Sequence, residues 1–301
     1  MKRSGMRRLA AFAAAAALVL GLVGCGGAQS AAQGNTGPVN LSVWTYYNGD
    51  QLESFNKLVE TFNDTVGKEK NITVESYSQG SVNDLEAQVM AAAQGKVGAS
   101  AMPNIFMAYA DTAYAMDQMG ELADLAPYFT DEERAAYLDS YLTEGDFDDS
   151  GSIKIFPVAK TTDAEVEASV VFLKWFTQPE NNIAFAVGSG YLPVTHAAND
   201  MDAIHSSGLA LTGSMENVLM EAVDAVNTNE LYTTKAFEGG TDARSKLNYS
   251  MSDLATADRA TVEERLAAGE SAEEAEAEFL TDAYFEAWYQ SLCDALSQYE
   301  G

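Results

Sequence analysis

Hydrophobic and polar positions along residues 41–108 follow two alternating spacings. Short runs rich in β-branched and aromatic residues at positions 41–46, 72–77 and 104–108 predict three strands. Apolar residues three or four positions apart predict helices over residues 51–62 and 83–94, and the second of these ends before Gly95. Because strands alternate with helices, the pattern predicts right-handed crossovers and an α/β fold with a parallel-type mixed sheet.

The remainder of the chain is predicted to be mostly helical. Amphipathic runs cover residues 164–176 and 273–296, whereas residues 153–158 have the pattern of a further strand. Ser or Thr followed three residues later by Glu predicts a capped helix start. This pattern occurs at Thr130, Thr162, Thr261 and Ser271.

Residues 1–24 have the pattern of a secretory signal peptide. Four basic residues precede the uncharged run 9–23, which is shorter than the about 20 apolar residues that a membrane span needs. The sequence Leu22-Val23-Gly24-Cys25 resembles a bacterial lipobox, so Cys25 is expected to carry lipid and to become the mature N-terminus. A chance Cys after an ordinary signal peptide is the alternative. Residues 25–39, rich in Gly, Ser and Gln, predict a flexible tether.

Composition excludes several classes of function. The net charge is -28, from 45 acidic and 17 basic residues, which excludes a nucleic-acid binder because there is no basic surface to displace counterions from phosphates. Two Cys and two His in the whole chain give no zinc-type cluster, so no metal site and no cofactor are expected. Residues 146–151 resemble the start of a calcium loop, but the twelfth place is Pro157 instead of Glu, and an Asx turn is the preferred interpretation.

Six stretches in order resemble the family 1 extracellular solute-binding proteins, the group that includes maltose-type and glycerol-phosphate-type binders. The most specific is the helix that ends in Gly190-Tyr191-Leu192-Pro193. The stretches are LSVWTYYNGDQLESFNKLVETFND, VESYSQGSVNDLEAQVMAAAQG, MPNIFMAYAD, SIKIFPVAK, EASVVFLKWFTQPENNIAFAVGSGYLPV and LAAGESAEEAEAEF. The resemblance implies a type II fold like that of periplasmic binding proteins.

The chain departs from this family at residues 157–162. In such proteins a strand like residues 153–158 crosses into a second lobe, and a second crossover returns before a helix like residues 164–176. Here residues 157–162 serve both crossovers, which implies that most of the second lobe has been deleted. The resemblance therefore implies a nearly complete lobe one over residues 40–235 and orphaned C-terminal helices, a remnant of lobe two, over residues 236–301.

Candidate ligand-binding residues lie in the loops after the strands. In open α/β sheets ligands bind beyond the carboxyl ends of the strands, and Tyr rings beside short polar side chains suit sugars. By resemblance, Tyr191, which follows the helix that ends at Gly190, points into the same cleft. The alternative is that these rings only pack in the core or at its rim. The candidates are Tyr46, Tyr47, Asp84, Tyr109, Asp111 and Tyr191.

The resemblance implies a substrate-binding lipoprotein of a bacterial ABC importer, held at the outer face of the cell membrane by its lipid. Its expected partners are a small carbohydrate or glycerol-phosphate-like ligand and the transmembrane subunits of the permease, and it is expected to perform no chemistry. Loss of lobe two is expected to impair it. Two alternatives stay open: a surface glycoside hydrolase, and a truncated gene product that is exported but no longer transports.

Overall fold

A three-stranded parallel sheet forms the centre of the part of the chain that the structure describes. The structure is a computed structural model that describes residues 37–232 and 236–299, so the predicted signal peptide, most of the tether and Cys25 lie outside the described residues. The strands are β1 (Val39–Thr45), β2 (Ile72–Ser78) and β3 (Ile105–Phe106), in the order β2-β1-β3. Both pairs are parallel, with Val39 opposite Ile72 and Val43 opposite Ile105. The predicted strands and their parallel pairing are confirmed.

Helices connect and cover the strands. A π-helical turn, Asn63–Gly67, lies between α1 (Gly49–Phe62) and the short α2 (Lys68–Lys70). The predicted helices at residues 51–62, 83–94 and 164–176 correspond to α1, α3 (Val82–Ala93) and α7 (Asp163–Phe176), each beginning one or two residues earlier than expected. The helices up to residue 228 are α1 (Gly49–Phe62), α2 (Lys68–Lys70), α3 (Val82–Ala93), α4 (Ala110–Gln118), α5 (Asp131–Ala135), α6 (Asp139–Thr143), α7 (Asp163–Phe176), α8 (Pro179–Ser189), α9 (Met201–Ser206) and α10 (Gly213–Thr228).

Alternate residues of β1 pack into two different hydrophobic clusters, as the period of a strand requires. Leu41 and Val43 lie in the larger cluster, with buried side chains of α1, α7 and α8. Trp44 lies in the second cluster, with buried side chains of α3 and α4. The sheet is therefore covered on both faces, and α7 packs on it together with α1, whose Phe62 ring contacts Phe172 of α7.

The predicted strand at residues 153–158 is wrong as a regular strand. Only Val158 and Ala159 form β-bridges, antiparallel with Ile105 and Leu122 respectively, so this segment makes the sheet mixed. Pro157 has no N–H to donate to a ladder; its carbonyl accepts from the Phe106 N–H at 3.1 Å. The preceding Phe156 is buried in the larger cluster, and the chain bends at residues 155–156.

Residues 236–299 form a segment that we call the C-terminal arm. It contains α11 (Gly240–Ala267), α12 (Ala272–Glu276) and α13 (Asp282–Ser297). Among the described residues of the arm only Gly240 and Ala275 are buried. The arm therefore has almost no hydrophobic core of its own.

Two predictions for the arm are wrong. The single helix expected at residues 273–296 is interrupted between α12 and α13, because Thr281 is extended and its Oγ1 caps α13 by accepting from the Tyr284 N–H at 3.2 Å. Thr261 lies inside α11 instead of starting a helix, since the residues before it are already helical. The capping boxes at Thr130, Thr162 and Ser271 are confirmed. No helix in the described ranges is both long and apolar enough to cross a membrane.

Candidate functional site

A cavity of about 320 Å³ opens at the carboxyl ends of β1 and β3. Tyr46 and Tyr47 follow β1, Tyr109 lies three residues beyond β3, and Tyr191 comes shortly after α8. All four predicted tyrosines line this one cavity. The structure thus brings together residues that are as much as 145 positions apart in the sequence.

Two glycines place Tyr191 at the cavity. A Cβ on Gly188 would collide with the Ser54 side chain, so only glycine allows α8 to approach α1 this closely. Gly190 ends α8 in the left-handed region with φ of 80°, which glycine adopts without strain. The Tyr191 ring then stacks on Phe185, with centroids 6.1 Å apart and an interplanar angle of 8°.

The tyrosines form a hydrogen-bonded aromatic wall. The hydroxyls of Tyr46 and Tyr191 are 2.9 Å apart, and the Tyr47 ring lies 5.5 Å from Tyr46 and 5.9 Å from Tyr191. Burial raises the pKa of Tyr46 and of Tyr47 far above the ordinary range, and the hydrogen bond with Tyr191 raises that of Tyr46 further. These two phenols therefore stay neutral and can both donate and accept hydrogen bonds.

The four rings are not equally accessible. Tyr47 is only 6% exposed and belongs to the larger hydrophobic cluster, so the alternative interpretation of a packing residue fits it best. Tyr109 is 49% exposed and Tyr191 is 37% exposed. The two exposed rings are the ones that present an open face to a ligand.

Three further residues of the cavity wall had no signal in the sequence. Tyr141 and Glu144 lie at the end of α6, and Phe156 comes from the segment that was expected to be a strand. Burial raises the pKa of Glu144 and of Tyr141. Glu144 thus puts a carboxyl beside an otherwise largely aromatic wall, and no motif of residue types distinguished it from the many other acids of the chain.

The two predicted aspartates are not in the wall of this cavity. Asp84 caps α3: its carboxylate accepts from the Ser81 N–H at 3.1 Å and from the Ser81 hydroxyl at 2.7 Å, and these bonds lower its pKa. Asp111 is 8% exposed and pairs with Arg244 of the arm at 2.8 Å. Their positions in the structure are explained by helix capping and by ion pairing.

The side chain of Asp146 closes the loop of residues 146–151 with bonds to residues four and five positions on, instead of the two positions of the predicted Asx turn. Its two carboxylate oxygens accept from the backbone N–H groups of Ser150 at 3.0 Å and Gly151 at 2.8 Å. The carboxylate therefore satisfies two backbone N–H groups of this loop.

The sequence matches a family model described as bacterial extracellular solute-binding protein in two segments, residues 57–162 and 153–212. Solved structures share the fold. A cyclic alpha-maltosyl-1,6-maltose binding protein from Arthrobacter globiformis aligns over 87% of this chain and 100% of its own, with 12% identity and a TM-score of 0.53.

The maltose/maltodextrin-binding domain MalE from Bdellovibrio bacteriovorus, bound to maltotriose, aligns over 72% of this chain and 94% of its own, with 10% identity and a TM-score of 0.51. A search among curated proteins gave no significant match. The two matched segments of the family model together span residues 57–212, more than half of the 301 residues. The chain therefore belongs to the bacterial extracellular solute-binding protein family.

Proposed function

We propose that this protein captures a carbohydrate-like solute outside the cell and delivers it to the permease of an ABC importer. The observation that carries the proposal is the cavity lined by Tyr46, Tyr47, Tyr109 and Tyr191 at the carboxyl edge of the sheet. Sugars combine apolar ring faces with hydroxyl groups, and this wall combines aromatic faces with neutral phenols. The relatives with the same fold include a protein bound to maltotriose.

An internal deletion of most of lobe two is part of the proposal. Residues 153–162 belong to both segments that match the family model. That overlap is expected if residues 157–162 join two parts of the family's sequence that are normally far apart. The single sheet of the described residues, with the α7 helix packed on it, fits the same arrangement.

The deletion has a consequence for affinity. Binding proteins of two lobes bury most of the ligand between walls from both lobes. Here the tyrosine cavity is built from residues 43–194 only, so water reaches one face of a small sugar. Each 1.4 kcal/mol of lost contact weakens binding about tenfold. We therefore expect weak affinity, in the millimolar range, for a mono- or disaccharide.

The proposed anchoring rests on the sequence alone. Cys25 follows Leu22-Val23-Gly24, and two acyl chains on one residue are about what stable membrane attachment needs. The protein would then stand at the outer face of the cell membrane, beside the transmembrane subunits of its importer.

Ligand-observed NMR with maltose tests the binding proposal, because it detects millimolar affinities. We expect saturation transfer to maltose from the unaltered protein and a loss of that signal in Tyr191→Ala. The matched control is Tyr232→Ala, which removes a ring that is 88% exposed and lies outside the cavity. Equal signals from both variants would contradict the proposal. Incubation with maltotriose followed by chromatography should show intact trisaccharide, whereas release of glucose would favour a glycoside hydrolase.

A further inference from the structure

The C-terminal arm is attached to the sheet-bearing part of the protein by Arg244. Its Nη2 lies 2.6 Å from an oxygen of Glu86, and its Nε lies 2.8 Å from an oxygen of Asp111. The guanidinium carbon is 4.5 Å from the centre of the Tyr109 ring. One arginine thus pairs with two largely buried carboxylates and holds α11 beside a wall residue of the tyrosine cavity.

A second cavity, of about 480 Å³, lies between the arm and α4. Tyr109, Asp111 and Glu144 line it from the sheet-bearing part of the protein. Residues from the arm complete its wall: Phe237, Ala243, Arg244, Leu247, Asn248 and Leu296.

Tyr109 and Glu144 line both cavities, so the two spaces adjoin across this pair. Tyr109 keeps 49% of its surface exposed even with the guanidinium of Arg244 over its ring. Glu144 lies at the same junction, and its carboxyl oxygens can accept hydrogen bonds from sugar hydroxyls. The junction therefore offers a ring for stacking beside a group for hydroxyls.

We propose that the two cavities form one cleft that binds a neutral oligosaccharide, with the C-terminal arm serving as its second wall. This proposal rests on the proposed function, and it specifies in addition that the ligand is uncharged and longer than a disaccharide. One end of the chain of sugars lies on Tyr46 and Tyr191, Glu144 binds at the junction, and the other end lies against α11. The C-terminal arm, which the proposed deletion leaves without most of lobe two, thus forms part of the binding site.

The charges of the cleft select a neutral ligand. The positive charge of Arg244 is matched by Glu86 and Asp111, and Glu144 adds a further acid to the wall. The protein as a whole carries a net charge of -28. A phosphorylated ligand would be repelled, because no cation of this wall is free to pair with it.

The size of the cleft selects a chain longer than two sugars. Ligand sites in proteins range over roughly 300–1,000 Å³. The tyrosine cavity, at about 320 Å³, is at the lower end of that range, and the arm cavity adds about 480 Å³. A short sugar fills only the first space, whereas a longer one gains the contacts of the second.

Calorimetric titration of the full chain with maltose and with maltotetraose tests the proposal. We expect maltotetraose to bind at least about tenfold more tightly than maltose. Ala243→Trp fills the arm cavity and should remove that gain while leaving maltose binding unchanged. Ala255→Trp makes the same change at an exposed position of α11 outside the cavity and should keep the gain.

A second variant, without a bulky ring, controls for the chance that the Trp ring at position 243 displaces the whole arm. Asn248→Ala shortens an exposed wall residue, and it should lower maltotetraose affinity but not maltose affinity. Equal affinities of the unaltered protein for the two sugars, or an unchanged gain in both cavity variants, would overturn the extended cleft and leave the proposed function standing. Failure of both sugars to bind the unaltered protein would overturn both.

Discussion

Replacement of Arg244 by Met is the sharpest perturbation of the arm. It keeps much of the side chain's length and apolar stem but removes the charge that pairs with Glu86 and Asp111. The side chains of these two acids are only 11% and 8% exposed. Removal of one partner from a buried ion pair costs about 3–5 kcal/mol, because it leaves charge without compensation. The low end applies here, since the Arg244 side chain is itself 22% exposed.

A hydrogen bond elsewhere in this interface is unchanged by the substitution. The Asn83 amide donates to the Tyr249 hydroxyl at 2.6 Å, and such a bond contributes about 0.5–1.5 kcal/mol. Arg244→Met also removes the cation–π contact with Tyr109, which is worth about 1 kcal/mol. A total loss of about 4 kcal/mol shifts the docking equilibrium by nearly a thousandfold. We therefore expect the arm to leave the lobe, which lets both carboxylates regain water.

Small-angle scattering measures this directly as an increase in the radius of gyration. The control is Arg259→Met, which removes the same residue type from α11 where the pair with Glu263 is 80% and 63% exposed. An exposed pair four residues apart is worth only about 0.3–0.5 kcal/mol, so the control should keep the dimensions of the unaltered protein. Unchanged dimensions in Arg244→Met, with both carboxylates still buried, would refute the assignment of Arg244 as the residue that holds the arm.

Three further predictions concern other parts of the chain. Gly188→Ala should lower the free energy of unfolding by about 1–3 kcal/mol in urea titrations, since the new methyl group collides with Ser54; Gly213→Ala, with open space at that position, should be neutral or slightly stabilising. Burial raises the pKa of Glu144, so the folded state binds the carboxyl proton more tightly and loses stability as pH rises through that pKa. Glu144→Gln should therefore raise Tm at pH 7 but not at pH 4. An equal change in Tm at both pH values would contradict the raised pKa. Cys25→Ser should move the protein from the membrane fraction to the medium or periplasm, and release of the unaltered protein would show that no lipid holds it.

The sequence alone was sufficient where the structure depends on neighbours along the chain. The capping box of Thr162 with Glu165 closes within four residues and fixes the start of α7. The alternation through Val43 and Trp44 determines which side chains enter which cluster, because neighbouring side chains of a strand point to opposite faces. The tyrosines after β1 and β3 could be assigned to one site because parallel strands end at the same edge of a sheet.

Only the tertiary structure could show which distant groups meet. Arg244 and Asp111 are 133 positions apart, and nothing local to either residue distinguishes it from other charges on helices. Glu144 and Phe156 both line the cavity, and the expected strand at residues 153–158 is replaced by a bend and by β-bridges at Val158 and Ala159. Local sequence sets the conformation of a few residues at a time. Partners across the fold are set by the packing of whole elements, and that packing depends on the entire chain.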